Sequence, residues 1–560
     1  MFDVVYVTYN SKKWLDGLFT SWKNLDYDLK KINIYLVDNQ STDDTVAELE
    51  KIKNAIGSEF GSFEVLAQNE NYGFGKGNNI GFQKGKEPYV CFLNTDTELY
   101  PDTFKELERE VTTSEENVGL WEFRQFPYEH PKFYDVLTGA TSWSSGAAFA
   151  VKRELFGRLG GFDEKIFMYA EDVDLSWRIR AEGMILKYCP RVRIKHYSYE
   201  SAGQIKPIQY ISSVINNLLL RYRFGGRKTV LEGHALVWKV IRGPEAFEGS
   251  RKMLKKAYWK HFKQAGHFRK RGDKKIQYIQ VANFIGFDYS PIRDGAFYVN
   301  EEPAEKPLVS IIVRTCGRPK VLRETLISLR NQTYDNLEVV VVEDGEAISE
   351  SMIKSEFSDM NILYHPTIQK VGRSKAGNLA MTLAHGKYLN FLDDDDLFYA
   401  DHVEVLVSNL VKAENGEKAA YATAFETPVV VESKDPYVYE VKDYRGVHKQ
   451  SFDPVMLCHH NYIPIQCIMF EKSLFEEYGG LDETTDALED WDLWVRYSTH
   501  TDFIFVFKTT SIYRVPAEQK INADRQKALD DALIEMRKKH KGYTREVSVY
   551  DLAIMYQNRG

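Results

Sequence analysis

The chain has 560 residues, 43% of them hydrophobic and 28% charged, with a net charge of −8. That length is too great for one core and allows three or four units at ~150 residues each, while the ordinary apolar and charged content excludes a disordered or fibrous chain. The five cysteines, Cys91, Cys189, Cys316, Cys458 and Cys467, are scattered without CxxC spacing, which argues against a zinc site or disulfide framework and for a reducing compartment. No apolar run reaches the ~18 residues that cross a bilayer, and MFDVVYVTYN reads as a strand, not a secretion signal.

In chain order, DVVYVTYN (3–10) predicts a buried strand, followed by a helical stretch and a second strand, INIYLVDNQSTDD (32–44). NYGFGKGNN (71–79) leads through a crossover to YVCFLNTD (89–96), an apolar strand with an acidic tip. Short β-branched runs alternating with helical patterns predict a parallel sheet of βαβ units, whose ligands collect at the carboxyl ends of the strands. GGFDEKIFMYAEDVDLSWR (160–178) then places Glu171, Asp172 and Asp174 at the start of an apolar helix.

Residues 205–300 read as helical. Between Arg221 and Lys275 there are 17 Lys/Arg against 4 Asp/Glu, a cationic stretch in an acidic chain. It reads as a solvated connector or as a face for anionic lipid; no nucleic-acid module accompanies the charge.

NEEPAEKP (300–307) is a linker, after which the pattern starts again: LVSIIVRTC (308–316), LEVVVVEDGE (337–346), YLNFLDDDD (388–396) and GGLDETTDALEDWDLWVR (479–496). In register Gly73 falls on Gly372, Lys76 on Lys375, Asn79 on Asn378, Asn94 on Asp393 and Asp96 on Asp395. A repeat this long is a whole domain, not a solenoid unit. The expected organisation is two α/β domains at 1–204 and 301–516, a basic helical connector at 205–300, and a helical tail at 517–560.

Adjacent carboxylates on a strand tip suit a hard divalent ion, Mg2+ or Mn2+, shared with substrate phosphates. Asp393 to Asp396 make the second half the stronger metal candidate; the first has only Asn94 and Asp96. The acids opening the late helices, Glu171, Asp172 and Asp174 with Glu489, Asp490 and Asp492, are favoured there by the helix dipole and are also placed to take a proton. Asp38-Asn39 and Glu343-Asp344, after the second strands, can accept from a ribose or base.

This ordered set, present twice, resembles glycosyltransferase family 2, the GT-A fold nucleotide-sugar transferases. The first half is similar to rhamnosyl- and galactofuranosyl-type transferases (NYGFGKGNN, FLNTD); the second is similar to the commoner branch (RTCGRP, VVEDG, FLDDDD, LEDWDLWVR). The resemblance implies inverting transfer from nucleotide-diphospho-sugars such as dTDP-rhamnose or a UDP-sugar. Asp172 and Asp490 would be the bases. Asp96 and Asp395 would ligate the metal, helped by Asn94 and Asp393, and His196 would approach the metal or diphosphate. Thr8, Asp38, Asn39 and Asn79, with Thr315, Glu343, Asp344 and Asn378, would line the nucleotide. Arg514 stands in IYRVPAE, where the second half lacks a histidine, and would contact the phosphates.

The expected activity is bifunctional, each domain forming one linkage of a bacterial surface polysaccharide. The acceptor would be a glycan or lipid-linked glycan, met in the cytoplasm at the inner membrane face. The alternative is one active domain beside a degenerate copy that serves as binding module or scaffold. A sugar nucleotidyltransferase is disfavoured, because the first loops, TYNSKKW and TCGRPKV, lack the expected glycine-rich pattern.

Overall fold

The computed structural model describes residues 1–197, 204–269, 273–485, 487–550 and 553. The chain forms two compact units, Met1–Ile292 and Arg293–Gly560.

In the first unit, β1 (Phe2–Thr8), β2 (Ile32–Asp38) and β3 (Ser62–Ala67) precede α1 (Gly73–Phe82). There follow β4 (Tyr89–Leu93), β5 (Thr97–Leu99), β6 (Val118–Phe126), β7 (Ala148–Lys152), α2 (Glu171–Ala181) and β8 (Ile185–His196). The strand order is β3-β2-β1-β4-β7-β6-β8-β5. β1 runs parallel to β2 and β4, and β7 antiparallel to β4 and β6. A strand buried on both faces must be apolar on both, which is why VVYV runs without alternation. Val4 and Tyr6 pack with Ile34, Leu36 and Leu93 in one core cluster, while Val5 packs with Phe92, Phe149 and Leu175 in another. The small residues of α1 let it lie directly on the sheet: a β-carbon at Gly81 would stand 2.4 Å from a Val5 methyl.

Four helices follow, α3 (Pro207–Phe224), α4 (Arg227–Arg242), α5 (Ser250–Phe268) and α6 (Asp273–Val281). Here the structure departs from the expected connector. Leu220 and Phe224 of α3 and Tyr278 of α6 share a core with Val173 and Trp177 of α2, so these helices complete the first unit. Helical periodicity and charge are legible in the sequence, but the partner of the buried face is not.

In the second unit, β9 (Val309–Thr315), β10 (Leu337–Glu343), β11 (Ile362–Pro366), α7 (Arg373–Leu383), β12 (Tyr388–Phe391) and β13 (Leu397–Phe398) come first. Then follow β14 (Ala419–Lys434), β15 (Ile468–Glu471), α8 (Glu489–Ser498), β16 (Phe503–Pro516) and α9 (Gln519–His540). The order β11-β10-β9-β12-β15-β14-β16-β13 repeats the first path strand for strand. Strands Tyr437–Val441 and Arg445–Val447 extend it by pairing with β14. Met536 of α9 joins the core around Trp491 and Leu493, so the tail also belongs to its domain. Both units are mixed, mostly parallel α/β sheets of the GT-A type.

Candidate active sites

Each site lies where β1 or β9 ends. In the first, the Thr8 hydroxyl donates to Asp38 Oδ1 at 2.7 Å, and Asp38 Oδ2 accepts from the Ser41 N–H at 2.9 Å. Asn39 Nδ2 donates to Gly73 O at 3.0 Å, while its buried Oδ1 has no protein partner. Asn79, expected at the nucleotide, bonds the backbone of Phe162 through both amide atoms. Its Nδ2 donates to Phe162 O at 3.0 Å and its Oδ1 accepts from Phe162 N at 2.9 Å, which pins the GG-F-D-E turn to α1.

Antiparallel pairing of β5 with β8 sets Thr97 opposite His196. It brings His196 Nε2 to 3.5 Å from Asp96 Oδ1, and Nδ1 lies 2.7 Å from Gln125 Oε1. Burial alone raises the Asp96 carboxyl, but the histidine beside it prevails and holds it below the usual carboxylate range. Asn94 sits half-buried at the same tip, its N–H bonded to Ala147 O at 2.9 Å.

Asp172 opens α2 after two residues in left-handed backbone, Tyr169 and Ala170. Its Oδ2 accepts from Gly146 N and its Oδ1 from Val173 N, both at 2.8 Å. Burial pushes its pKa up, opposed by those N–H groups and by Lys132. Burial and the adjacent Asp172 carry Glu171 well above its usual range. Lys132 is itself buried, its Nζ 2.5 and 2.6 Å from the two oxygens of Glu122, which also accepts from Ser145 N at 2.9 Å. Glu122, Lys132 and Gln125 belong to none of the repeated motifs; only the fold brings them to the site.

The second site uses the same frame with different charges. Thr315 Oγ1 donates to Asp394 Oδ2 at 2.6 Å. Arg314 grips Asp393 through Nε and Nη2, each 2.9 Å from a carboxylate oxygen, and reaches Glu489 Oε1 at 3.1 Å. Arg318 donates to both oxygens of Asp394 and to Asp395 Oδ2 at 3.1 Å. Arg514 donates its N–H to Asp396 Oδ1 at 2.9 Å and its Nη1 to Glu324 at 2.6 Å. Burial nevertheless pushes Asp394 up to about 7 and Asp396 well above its usual range.

Glu343 is fully buried and accepts from Ser349 N at 2.9 Å and from Ser349 Oγ at 3.1 Å; Tyr364 also donates to it. Asp344 accepts from Val371 N at 2.6 Å and Gly372 N at 3.1 Å. Both order the loops instead of presenting free oxygens to a ribose. Asn378 pins Leu481 through both amide atoms, at 2.9 and 2.7 Å, as Asn79 pins Phe162. Asp490 is half-buried and accepts from Asn461 Nδ2 at 3.0 Å. Burial, then the neighbouring Glu489, pushes it up to about 7. Asp174 and Asp492 point away from both sites into ion pairs with Arg178 at 2.8 Å and Lys539 at 2.8 Å.

Among the described residues no three His, Cys, Asp or Glu side chains converge as a metal cage. The first site still fits a Mg2+ or Mn2+ that keeps waters and binds phosphate, since Asp96 and His196 face each other and Gln125 orients the ring. The second does not fit as it stands: its acids are answered by guanidinium groups, and among the described residues no histidine pairs with Asp393, Asp394, Asp395 or Asp396.

Comparison with known proteins agrees with this architecture. The sequence profile of Glycosyl transferase family 2 matches residues 3–174 and 310–478, together more than half the chain. An uncharacterized glycosyltransferase of Rickettsia prowazekii is 27% identical over 220 residues, 39% of this chain and 66% of that protein. A Mycobacterium tuberculosis N-acetylglucosaminyl-diphospho-decaprenol L-rhamnosyltransferase is 44% identical over 62 residues, 11% of this chain and 20% of that protein. The chain thus spans less than two thirds of the length of these relatives. A mannosyltransferase of Pyrobaculum calidifontis, solved with GDP-Man and Mn2+, is 19% identical with a TM-score of 0.33, covering 50% of this chain and 73% of that one. With both halves matched and the motif residues gathered at the strand ends, the chain belongs to glycosyl transferase family 2.

Proposed function

We propose that the chain is a bifunctional inverting glycosyltransferase that draws on nucleotide-diphospho-sugars, dTDP-rhamnose or a UDP-sugar, and forms one linkage in each domain. One observation carries this reading: Asp172 and Asp490 occupy the same half-buried place at the head of the acidic helix in both domains, each held by N–H donors. A carboxylate whose pKa is raised toward neutrality accepts a proton well from an attacking hydroxyl. Each base takes that proton while the acceptor oxygen displaces the nucleoside diphosphate from the sugar in one step.

The two domains then answer the charge on the leaving diphosphate differently. In the first, Asp96 and His196 would hold a divalent cation, which supplies Lewis-acid stabilisation of that diphosphate. In the second, Arg318 and Arg514 stand ready to supply positive charge, with Arg314 holding Asp393 in place. Thr8, Asp38 and Asn39, and Thr315, Glu343 and Asp344, shape the loops that receive the nucleotide.

The acceptor is read as a growing surface glycan on a lipid carrier, met at the cytoplasmic face of an anionic membrane. Helix α5 supports this: Lys252, Lys256, Trp259 and Lys263 fall on one exposed stripe, and Trp259 is 64% exposed beside Phe262, ring centroids 5.9 Å apart. An aromatic pair within a basic face suits an anionic headgroup layer. No helix among the described residues is long and apolar enough to cross a membrane.

The second reading, one active domain beside a degenerate binding module, is favoured by the Arg314 grip on Asp393. Donor hydrolysis by the full chain separates the two. With a panel of nucleotide sugars, Asp172→Asn and Asp490→Asn should each remove hydrolysis of a different donor; a single substitution that removes all hydrolysis supports the degenerate-copy reading.

A further inference from the structure

We propose that Arg223 and Lys539 are positioning residues: each is a cation on an appended helix that joins two acids flanking the base and so fixes the helix that carries it. The proposal rests on the assignment of Asp172 and Asp490 as bases.

Arg223, on α3, donates one nitrogen to Asp174 of α2 and another to Asp163 of the GG-F-D-E turn. Lys539, on α9, does the same in the second domain: its Nζ lies 2.8 Å from Asp492 of α8 and 2.6 Å from Asp482 of the GG-L-D-E turn. The two acid pairs are equivalent in the repeat, yet their cations come from segments without visible similarity, 49 residues after Asp174 and 47 after Asp492. Arg223 is 2% exposed, and Asp174 and Asp492 are fully buried. Buried acids need paired, hydrogen-bonded partners; Asp174 also pairs with Arg178 at 2.8 Å and Asp163 with His267 at 2.8 Å, so removing Arg223 weakens the compensation and cuts the tie that joins α3 to α2 and the turn.

The base-bearing helices also start from strained backbone. Ala170 has φ 69° and Leu488 φ 61°, left-handed values that a non-glycine residue keeps only where its surroundings fix them. Helix α3 supplies such fixing a second time, since Asn216 Nδ2 donates to Met168 O at 3.1 Å and Tyr169 O at 2.7 Å. In the second domain Tyr543 donates to Asp492 Oδ1 at 3.0 Å, and the His540 ring packs edge-on against Trp491 at 4.6 Å. Neither cation touches the base; each acts through the helix start, where a displacement of the carboxylate would spoil its aim at the acceptor hydroxyl.

The test uses the full chain, with Asp490→Asn as background for Arg223 variants and Asp172→Asn as background for Lys539 variants, so that one domain is read at a time. The probes are hydrolysis of dTDP-rhamnose and UDP-hexoses and hydrogen exchange at residues 166–175 and 485–493. Arg223→Met should lower kcat about 10- to 100-fold with little change in donor KM, and should speed exchange at 166–175. Arg223→Lys, which keeps the charge, should recover most of both, and Lys539→Met with Lys539→Arg should behave alike at the second site. If Arg223→Met does not fold, Asp163→Asn, which removes one arm of the bridge, should show a smaller fall in kcat. Unchanged kcat in folded Arg223→Met, or in Asp163→Asn, overturns the proposal, as does a lysine variant no better than methionine. If the parent chain cleaves no donor, the transferase reading fails, and exchange at the helix start still decides whether the bridge holds it.

Discussion

Where the first site has Val7 and Asn94, the second has Arg314 and Asp393, joined by two hydrogen bonds of 2.9 Å. The two positions correspond in the strands: Val7 directly precedes Thr8, the last residue of β1, and Arg314 directly precedes Thr315, the last residue of β9. The closing strand carries His196 in one domain and Arg514 in the other. An acid added at the strand tip therefore arrives together with its counter-charge, and the domain richer in carboxylates is not the one with the better open cation site. On the proposed function, the same frame would answer the charge of a diphosphate in two ways.

Chelation breaks this comparison most sharply. Excess EDTA should lower donor hydrolysis by the first domain, read in Asp490→Asn, about 100-fold or more, because metal stabilisation of a leaving group is worth several kcal/mol. The second domain, read in Asp172→Asn, should lose much less. Equal losses would show that a cation displaces the arginines at the second site.

Stability sharpens the same contrast. Arg314→Val should destabilise the second unit by up to about 3–5 kcal/mol in calorimetry, since it leaves half-buried Asp393 without its guanidinium partner and buried Glu489 with only Arg373, at 3.7 Å. Adding Asp393→Asn, which copies the first site, should recover part of that loss. Additive effects of the two substitutions would mean that the pair is not coupled.

The pH profile separates the sites more gently. Asp490, at about 7, must be ionised to accept a proton, so second-site transfer should fall up to about tenfold per unit below pH 7. The sign for stability is opposite: a raised carboxyl favours folding fully below its unfolded value near 4, and that contribution is lost as pH rises through about 7. A second-site profile flat from pH 5 to 8 would remove Asp490 from the role of base.

Membrane contact should give the smallest effect. Lys252→Glu, Lys256→Glu and Lys263→Glu together should weaken sedimentation with phosphatidylglycerol vesicles, each lysine contributing about 1 kcal/mol at low salt and less as salt screens it. Trp259→Ala should weaken binding at high salt as well, since its share is apolar. Vesicle binding indifferent to all four changes would leave α5 as a solvated helix.

Much of this was legible in the residues. The repeated strands, the acidic tips and the two ED-x-D helices follow from period, β-branching and duplication, and both sheets adopt the expected α/β frame. What escaped is what depends on distant partners. FLDDDD announces four acids, but not that Arg314 and Arg318 of RTCGRP and Arg514, singled out for phosphates, bond to those acids. Asn79 and Asn378 look like ligand contacts in the motif, and the sequence does not show that their amides bond the backbone of the later GG-[FL]-D-E turns. The charge of residues 205–292 is plain, but that α3 delivers Arg223 to the helix of Asp172 and Asp174 cannot be seen without the fold. Glu122 and Lys132 sit outside any repeated pattern.

The central claim is that each domain holds its own base and performs its own transfer. It is tested most directly by mass spectrometry of products made by the purified full chain from mixed nucleotide sugars and a lipid-linked acceptor. The wild-type chain should add two different sugars. Asp490→Asn and Asp172→Asn should each lose one addition by about 10²–10⁴-fold while the other domain still acts on its own acceptor. A single sugar added by the wild-type chain, or one substitution that abolishes both additions on separate acceptors, would contradict it.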